Sequence, residues 1–133
     1  VRLSGERASR RHAHWQGIVR AACEQCGRNR PPEVDPACDL PKWLDSLPAP
    51  AEGGAMRLML SPRATTAFAS LPVAAPSTGV VLLIGPEGGL APGEEEAARA
   101  HGFAALSLGP RVLRTETAGM AVLAALAARW GGW

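Results

Sequence analysis

No apolar run in the chain approaches the roughly 20 residues that a membrane-crossing helix requires, which excludes such a helix among its 133 residues. Its first stretch, VRLSGERASRR, is polar and basic where a secretory signal would carry an apolar run. The expected address is the cytoplasm. Lysine is nearly missing: Lys42 is the single one. Cysteine is scarce as well, and the three present, Cys23, Cys26 and Cys38, are an odd count that fits a reducing compartment. In CEQC, Cys23 and Cys26 have redox or zinc-ligand spacing, and His12 and His14 precede them. A closed zinc site wants four ligands, and no four-ligand spacing appears. The pair also reads as two small apolar residues on a helix face, and no metal is expected. Also missing are the P-loop pattern GxxxxGK followed by Ser or Thr, the dinucleotide pattern GxGxxG, and any internal repeat.

What is there reads as one α/β domain. Hydrophobic residues make up 47% and charged residues 20%, a globular balance. The length allows a core without disulfide or metal staples. Net charge is only +2, but it is unevenly spread. Arg2, Arg7, Arg10, Arg11, Arg20, Arg28 and Arg30 crowd the first 30 residues against Glu6 and Glu24. That cluster is either a face for nucleic acid or a solvated surface with an arginine-rich bias.

Trp15, Ile18, Val19, Ala22, Cys23 and Cys26 recur at helical spacing and predict one amphipathic helix from about Ser9 to Gly27. Pro31 and Pro32 then impose an extended connection. Asp39 is placed to cap a short helix over LPKWLDSL, and PAPAEGGA is a loop. MRLML reads as a strand ended by Ser61-Pro62, and ATTAFASL as a short helix or turn. The continuous apolar run VVLLI, between Gly79 and Gly85, has the look of a parallel strand buried on both faces. Pro92 suits the first turn of a helix GEEEAARAH, whose glutamates suit a helix N-terminus; Gly102 closes it. FAALSL is the next strand and TAGMAVLAALAARW the last helix. That helix has no charge from Thr117 to Ala128, so it is expected to be buried on all sides or to pack in a subunit interface. Strands alternating with helices make the sheet mainly parallel.

In open α/β sheets, ligands bind beyond the carboxyl ends of the strands, and two glycine-bearing loops fall there. GPEGG follows VVLLI. Its glycines let backbone approach a ligand, while Glu87 would repel a phosphate and suit a cationic or neutral polar ligand. GPRVLRTET follows FAALSL and gathers Arg111, Arg114, Thr115, Glu116 and Thr117. Thr115 or Thr117 can cap the last helix, with Glu116 in its first turn. Two arginines at the positive end of a helix are unfavourable unless an anion meets them.

Taken together, LLIGPEGGL and SLGPRVLRTETA closely resemble the C-terminal signature of the SPOUT class of RNA methyltransferases. Within that class the chain resembles the family that methylates N3 of a uridine in small-subunit (16S) ribosomal RNA. EQCGRNRPPEV, from Glu24 to Val34, is similar to another stretch of that family, with Cys26 where serine is usual. The resemblance runs from about Glu6 to Trp130. It implies a C-terminal trefoil knot, S-adenosylmethionine (SAM) held by the knot loops, and a homodimer with sites at the subunit interface. It implies cofactor contacts from Leu83, Ile84, Gly85, Pro86, Gly88 and Gly89, and from Leu108, Gly109, Val112, Leu113, Thr117 and Ala118. Leu108, Val112 and Leu113 would flank the adenine. It implies contacts to ribosomal RNA, in the assembled or assembling subunit, from Glu24, Gln25, Arg28, Arg30 and Arg111. For catalysis it points to Arg114, which would stabilise a uridylate or hold the target phosphate, and to Glu116 or Glu87 as proton acceptor or orienter of the arginine. Family members carry an N-terminal RNA-binding barrel and a first strand and helix ahead of the part this chain resembles, so residues 1–133 are expected to form the remaining methyltransferase domain. A non-catalytic module that binds SAM or RNA and dimerises is the alternative reading.

Overall fold

A computed structural model describes residues 5–50 and 54–132. Part of the expected loop PAPAEGGA and the arginine at position 2 therefore lie outside the described residues. The chain divides into two compact units, Val1–Asp39 and Leu40–Trp133.

The first unit is built on helix α1, Gly5–Cys26, which begins four residues before the Ser9 expected from the apolar spacing. The polar first turn, with Glu6 bonded to Arg10 at 3.2 Å, extends the helix where no apolar periodicity marks it. The helix ends at Gly27 as expected. The Arg28 amide donates to the Cys23 carbonyl at 2.9 Å, the six-to-one bond of a Schellman motif. Of the six residues on the expected apolar face, only Cys23 is buried; Trp15 and Val19 are half-buried, and Ile18 is 53% exposed. Cys26 is exposed too, its thiol facing the Cys23 carbonyl at 3.7 Å. The extended segment after Gly27 lies back along the helix, with His12 Nε2 2.6 Å from the Val34 carbonyl oxygen.

The second unit is a parallel sheet with helices on both faces. Its elements are α2 (Leu40–Ser46), β1 (Met56–Leu60), a single 3-10 turn at Phe68–Ser70, β2 (Val80–Ile84), α3 (Pro92–Ala100), β3 (Ala104–Leu106) and α4 (Thr115–Trp130). Strand order is β2-β1-β3. Met56 to Leu60 pair in register with Val80 to Ile84, and Leu58 to Leu60 with Ala104 to Leu106. Because side chains alternate along a strand, Leu58 and Met59 enter opposite cores. Met59 packs with Leu44, Leu90, Ala98 and Phe103, the side of α2 and α3. Leu58 packs with Leu71, Leu106, Val122 and Leu126, the side of α4.

The strand at VVLLI departs from expectation: all five residues are half-buried. Among the described residues β2 pairs only with β1 and so is an edge strand, and a continuous apolar run does not by itself distinguish an edge from a centre. FAALSL also contributes less strand than expected, only Ala104–Leu106. Phe103 is instead the residue whose amide closes α3, donating to the Ala98 carbonyl at 3.0 Å. Helix α4 starts two residues before the TAGM stretch and has two faces. Val122 and Leu126 are buried against the sheet, while Met120 and Leu123 are 67% and 60% exposed.

Candidate functional site

Each strand delivers the chain to the same end of the sheet, and three short segments follow: Ser61–Arg63 after β1, Gly85–Leu90 after β2 and Ser107–Arg114 after β3. Together with the start of α4 they wall a cleft with about 540 Å³ of empty space, partly open to solvent.

The segment after β2 is a tight turn. The Gly89 amide donates to the Pro86 carbonyl at 2.7 Å, and Gly89 has φ 76°, a conformation that side-chain-bearing residues rarely adopt. Gly85 is required for a different reason. A Cβ there would sit 2.8 Å from the backbone nitrogen of Leu90 and 3.0 Å from the Gly89 carbonyl carbon. The glycine thus lets the loop pack on its own backbone. Pro92 then opens α3, and Glu94 turns back so that Oε2 accepts from the Ala91 amide at 2.8 Å, half of a capping box.

The segment after β3 is held on both flanks. The Ser61 amide donates to the Leu106 carbonyl at 3.1 Å, the Ser107 amide to the Thr66 carbonyl at 2.8 Å, and the Phe68 amide to the Ser107 carbonyl at 3.2 Å. The excursion that runs from Ser61 to Phe68 therefore bonds to this segment at both ends, to Leu106 at its start and to Ser107 at its finish. The stretch ATTAFASL provides a one-residue bridge, Ala67 to Ser107, followed by the 3-10 turn. At the entry to α4 the N-cap is Arg114, with no side-chain bond, rather than Thr115 or Thr117. The Thr115 hydroxyl is taken up elsewhere, donating to the Gly85 carbonyl at 3.1 Å. This bond ties the two glycine-bearing loops together across 30 residues of sequence.

Ile84, Gly85, Pro86, Gly89, Leu108, Gly109, Val112, Leu113 and Ala118 all line the cleft, as do Glu87 and Arg111. Leu83, Gly88 and Thr117 do not line it, nor do Arg114 and Glu116. The reason is directional for Leu83, which packs into the core of α2 and α3. Thr117 and Glu116 are exposed on the first turn of α4, and Arg114 is exposed just before it. Ser61, Pro62 and Thr115 line the cleft without having been singled out as site residues. Their signal was available: Ser61 and Pro62 follow a parallel strand at its carboxyl end, where ligands bind. Glu24, Gln25, Arg28 and Arg30 belong to the other unit, exposed at the end of α1 and just beyond it.

The lining is mostly aliphatic, with a carboxylate at Glu87 and a guanidinium at Arg111. Among the described residues Glu87, Arg111, Arg114 and Glu116 enter none of the ion pairs. Such a site accommodates an apolar ring with polar, charged ends.

The chain belongs to the RNA methyltransferase domain family, which it matches over residues 1–127. Among curated proteins it is 36% identical over 129 residues to the ribosomal RNA small subunit methyltransferase E of Mycobacterium bovis, covering 95% of this chain and 49% of that protein. It is 40% identical over 119 residues to the protein of the same name from Buchnera aphidicola subsp. Schizaphis graminum, covering 89% and 46%. Two solved structures superpose closely. A Legionella pneumophila protein, solved in complex with bound cofactor SAM, has a TM-score of 0.87 at 38% identity, covering all of this chain and 52% of that one. The ribosomal RNA small subunit methyltransferase E of Neisseria gonorrhoeae, bound to S-adenosyl methionine, has a TM-score of 0.84 at 38% identity, covering 98% and 52%. The chain spans about half the length of the curated relatives it matches.

Proposed function

We propose that this chain is the catalytic portion of a SAM-dependent methyltransferase that modifies N3 of a uridine in small-subunit ribosomal RNA, acting as a homodimer in the cytoplasm. The observation that carries the reading is the cleft itself. Two glycine-bearing loops and an aliphatic wall meet at the carboxyl end of a parallel sheet, and the lining includes Glu87 and Arg111, which enter no ion pair among the described residues. The residues fit the cofactor: Ile84, Leu108, Val112 and Leu113 suit a neutral purine, and the loop backbone offers amide and carbonyl groups to its polar edge. Glu87 suits a cationic sulfonium or ammonium, and Arg111 suits a carboxylate.

Bound SAM supplies an electrophilic methyl group, and the chain supplies position and charge. N3 of uracil carries a proton and is a poor nucleophile until that proton leaves. Arg114 stabilises the negative charge that then spreads to O2 and O4, and Glu116 or Glu87 accepts the proton or orients the arginine. Arg28 and Arg30 neutralise phosphates of the RNA, with Glu24 and Gln25 beside them. The bonds from the two ends of the 61–68 excursion to Leu106 and Ser107 support a chain that passes through that excursion, as a trefoil knot requires. The exposed Met120 and Leu123 on a helix otherwise apolar support a partner subunit over that face.

A second reading, a module that binds SAM or RNA and dimerises without catalysis, is favoured by one observation: Arg114 and Glu116 stand outside the cleft lining. One experiment tests both. The purified chain is titrated calorimetrically with SAM, its mass in solution is measured, and it is then incubated with intact small subunits and labelled SAM. Saturable binding by a dimer with label entering ribosomal RNA is expected. Binding without transfer selects the second reading, and a folded chain that takes up no SAM overturns the enzyme reading and leaves only the RNA-binding form of the second.

A further inference from the structure

Three glutamates open α3, and they have three different fates. Glu94 caps the helix, Glu96 is exposed, and Glu95 is 4% exposed. Glu95 Oε1 accepts from the Ser61 hydroxyl at 2.8 Å and from the Arg63 guanidinium at 2.9 Å. Its Oε2 faces Arg99 at 3.4 Å. The same Arg63 nitrogen donates to the Leu90 carbonyl at 2.9 Å, and the Ser61 oxygen accepts from the Arg63 amide at 3.2 Å. One carboxylate thus joins the segment after β1 to the end of the segment after β2.

Both segments are walls of the cleft. Ser61 and Pro62 form one side, Gly85 and Gly89 the other. The walls meet where the Pro62 ring comes within 3.7 Å of the position a Cβ on Gly89 would take. Leu90, which Arg63 holds by its carbonyl, is the residue whose backbone nitrogen would lie 2.8 Å from a Cβ on Gly85. A shift of Arg63 or Ser61 therefore carries into the cleft through the closely packed backbone of the 85–90 loop. Glu95 is buried but both arginines are about half exposed, so burial of the carboxylate offsets much of an attraction that solvent screens, and the pairs are a weak source of stability. What such a pair does supply is a fixed geometry.

We propose that Glu95 is a positioning residue for the cofactor, acting through Ser61 and Arg63 to set the separation of the two loops that wall the cleft. The inference rests on the reading that this cleft takes SAM. The test titrates four full chains with SAM by calorimetry, below their unfolding temperatures, with circular dichroism to check folding: the parent, Glu95→Gln, Ser61→Ala and Arg129→Ala. Arg129 anchors the far end of α4 to the carbonyls of Leu71 and Pro72, so its loss lowers stability without touching the clamp. Glu95→Gln and Ser61→Ala are expected to weaken SAM binding by about tenfold, the size of a lost charge-assisted bond. Arg129→Ala is expected to stay within about twofold of the parent, as a distant site does. If Glu95→Gln does not fold, Ser61→Ala, which keeps the ion pairs, carries the test. A parent that binds while both clamp variants bind equally well, or lose no more than Arg129→Ala, overturns this inference alone. A folded parent that takes up no SAM overturns the cofactor reading and this inference with it.

Discussion

At Gly85 a methyl group would meet two backbone atoms at 2.8 and 3.0 Å, neither of which can rotate away. Gly85→Ala is therefore expected to destabilise the fold by about 1–3 kcal/mol, the range for overpacking a tight contact, and to displace the loop that lines the cleft. Urea unfolding checks the first part and SAM titration the second. Thr115 gives a finer probe of the same place. Thr115→Val keeps the shape but removes the donor to the half-buried Gly85 carbonyl, at an expected cost of about 1 kcal/mol. Thr115→Ser retains the hydroxyl and is expected to keep most of that stability in the same unfolding assay. This contact was not legible beforehand. Local pattern makes Thr115 a candidate cap, and only the approach of a loop 30 residues away explains why its hydroxyl points elsewhere.

Helix α4 is held at both ends. Its start is tied to Gly85 through Thr115, and its end is anchored by Arg129 and Trp130 to the carbonyls around Pro72. The Arg129 guanidinium also lies 5.9 Å from the centroid of the Phe68 ring. Arg129→Ala removes several charged bonds to carbonyl groups, and a loss of about 1–3 kcal/mol is expected in thermal or urea unfolding. Between those ends the helix carries two apolar faces. The sequence reading left two possibilities for them, burial within one chain or contact with another. The sheet covers Val122 and Leu126 and leaves Met120 and Leu123 exposed. Under the dimer reading, Leu123→Glu is expected to shift the chain from dimer to monomer in analytical ultracentrifugation, because an unpaired carboxylate in an apolar contact is strongly unfavourable. An unchanged mass would remove that face from the interface.

For the whole molecule, the charge pattern carries the remaining prediction. Arg28 and Arg30 are exposed beyond α1, where neutralised phosphates would release counterions on binding. Replacing both with alanine is expected to weaken RNA binding at low salt and to lower the slope of log affinity against log salt by about one per arginine. A slope equal to the parent's would make the cluster a solvated surface. SAM affinity is expected to be unchanged in that variant, because neither arginine lines the cleft.

The order of strands and helices, the parallel sense of the sheet and the two loops at its carboxyl end were all legible in the sequence. They follow from short-range properties: apolar period, the backbone limits of proline and glycine, and the rule that parallel strands deliver their loops to one end. The family likewise rests on residues adjacent in the chain. Tertiary structure alone decided which of three consecutive glutamates turns inward, why Gly85 tolerates no side chain, where the Thr115 hydroxyl goes and that β2 lies at an edge of the sheet. Each of these depends on atoms brought close by chain segments far apart in sequence, and no local pattern encodes that distance.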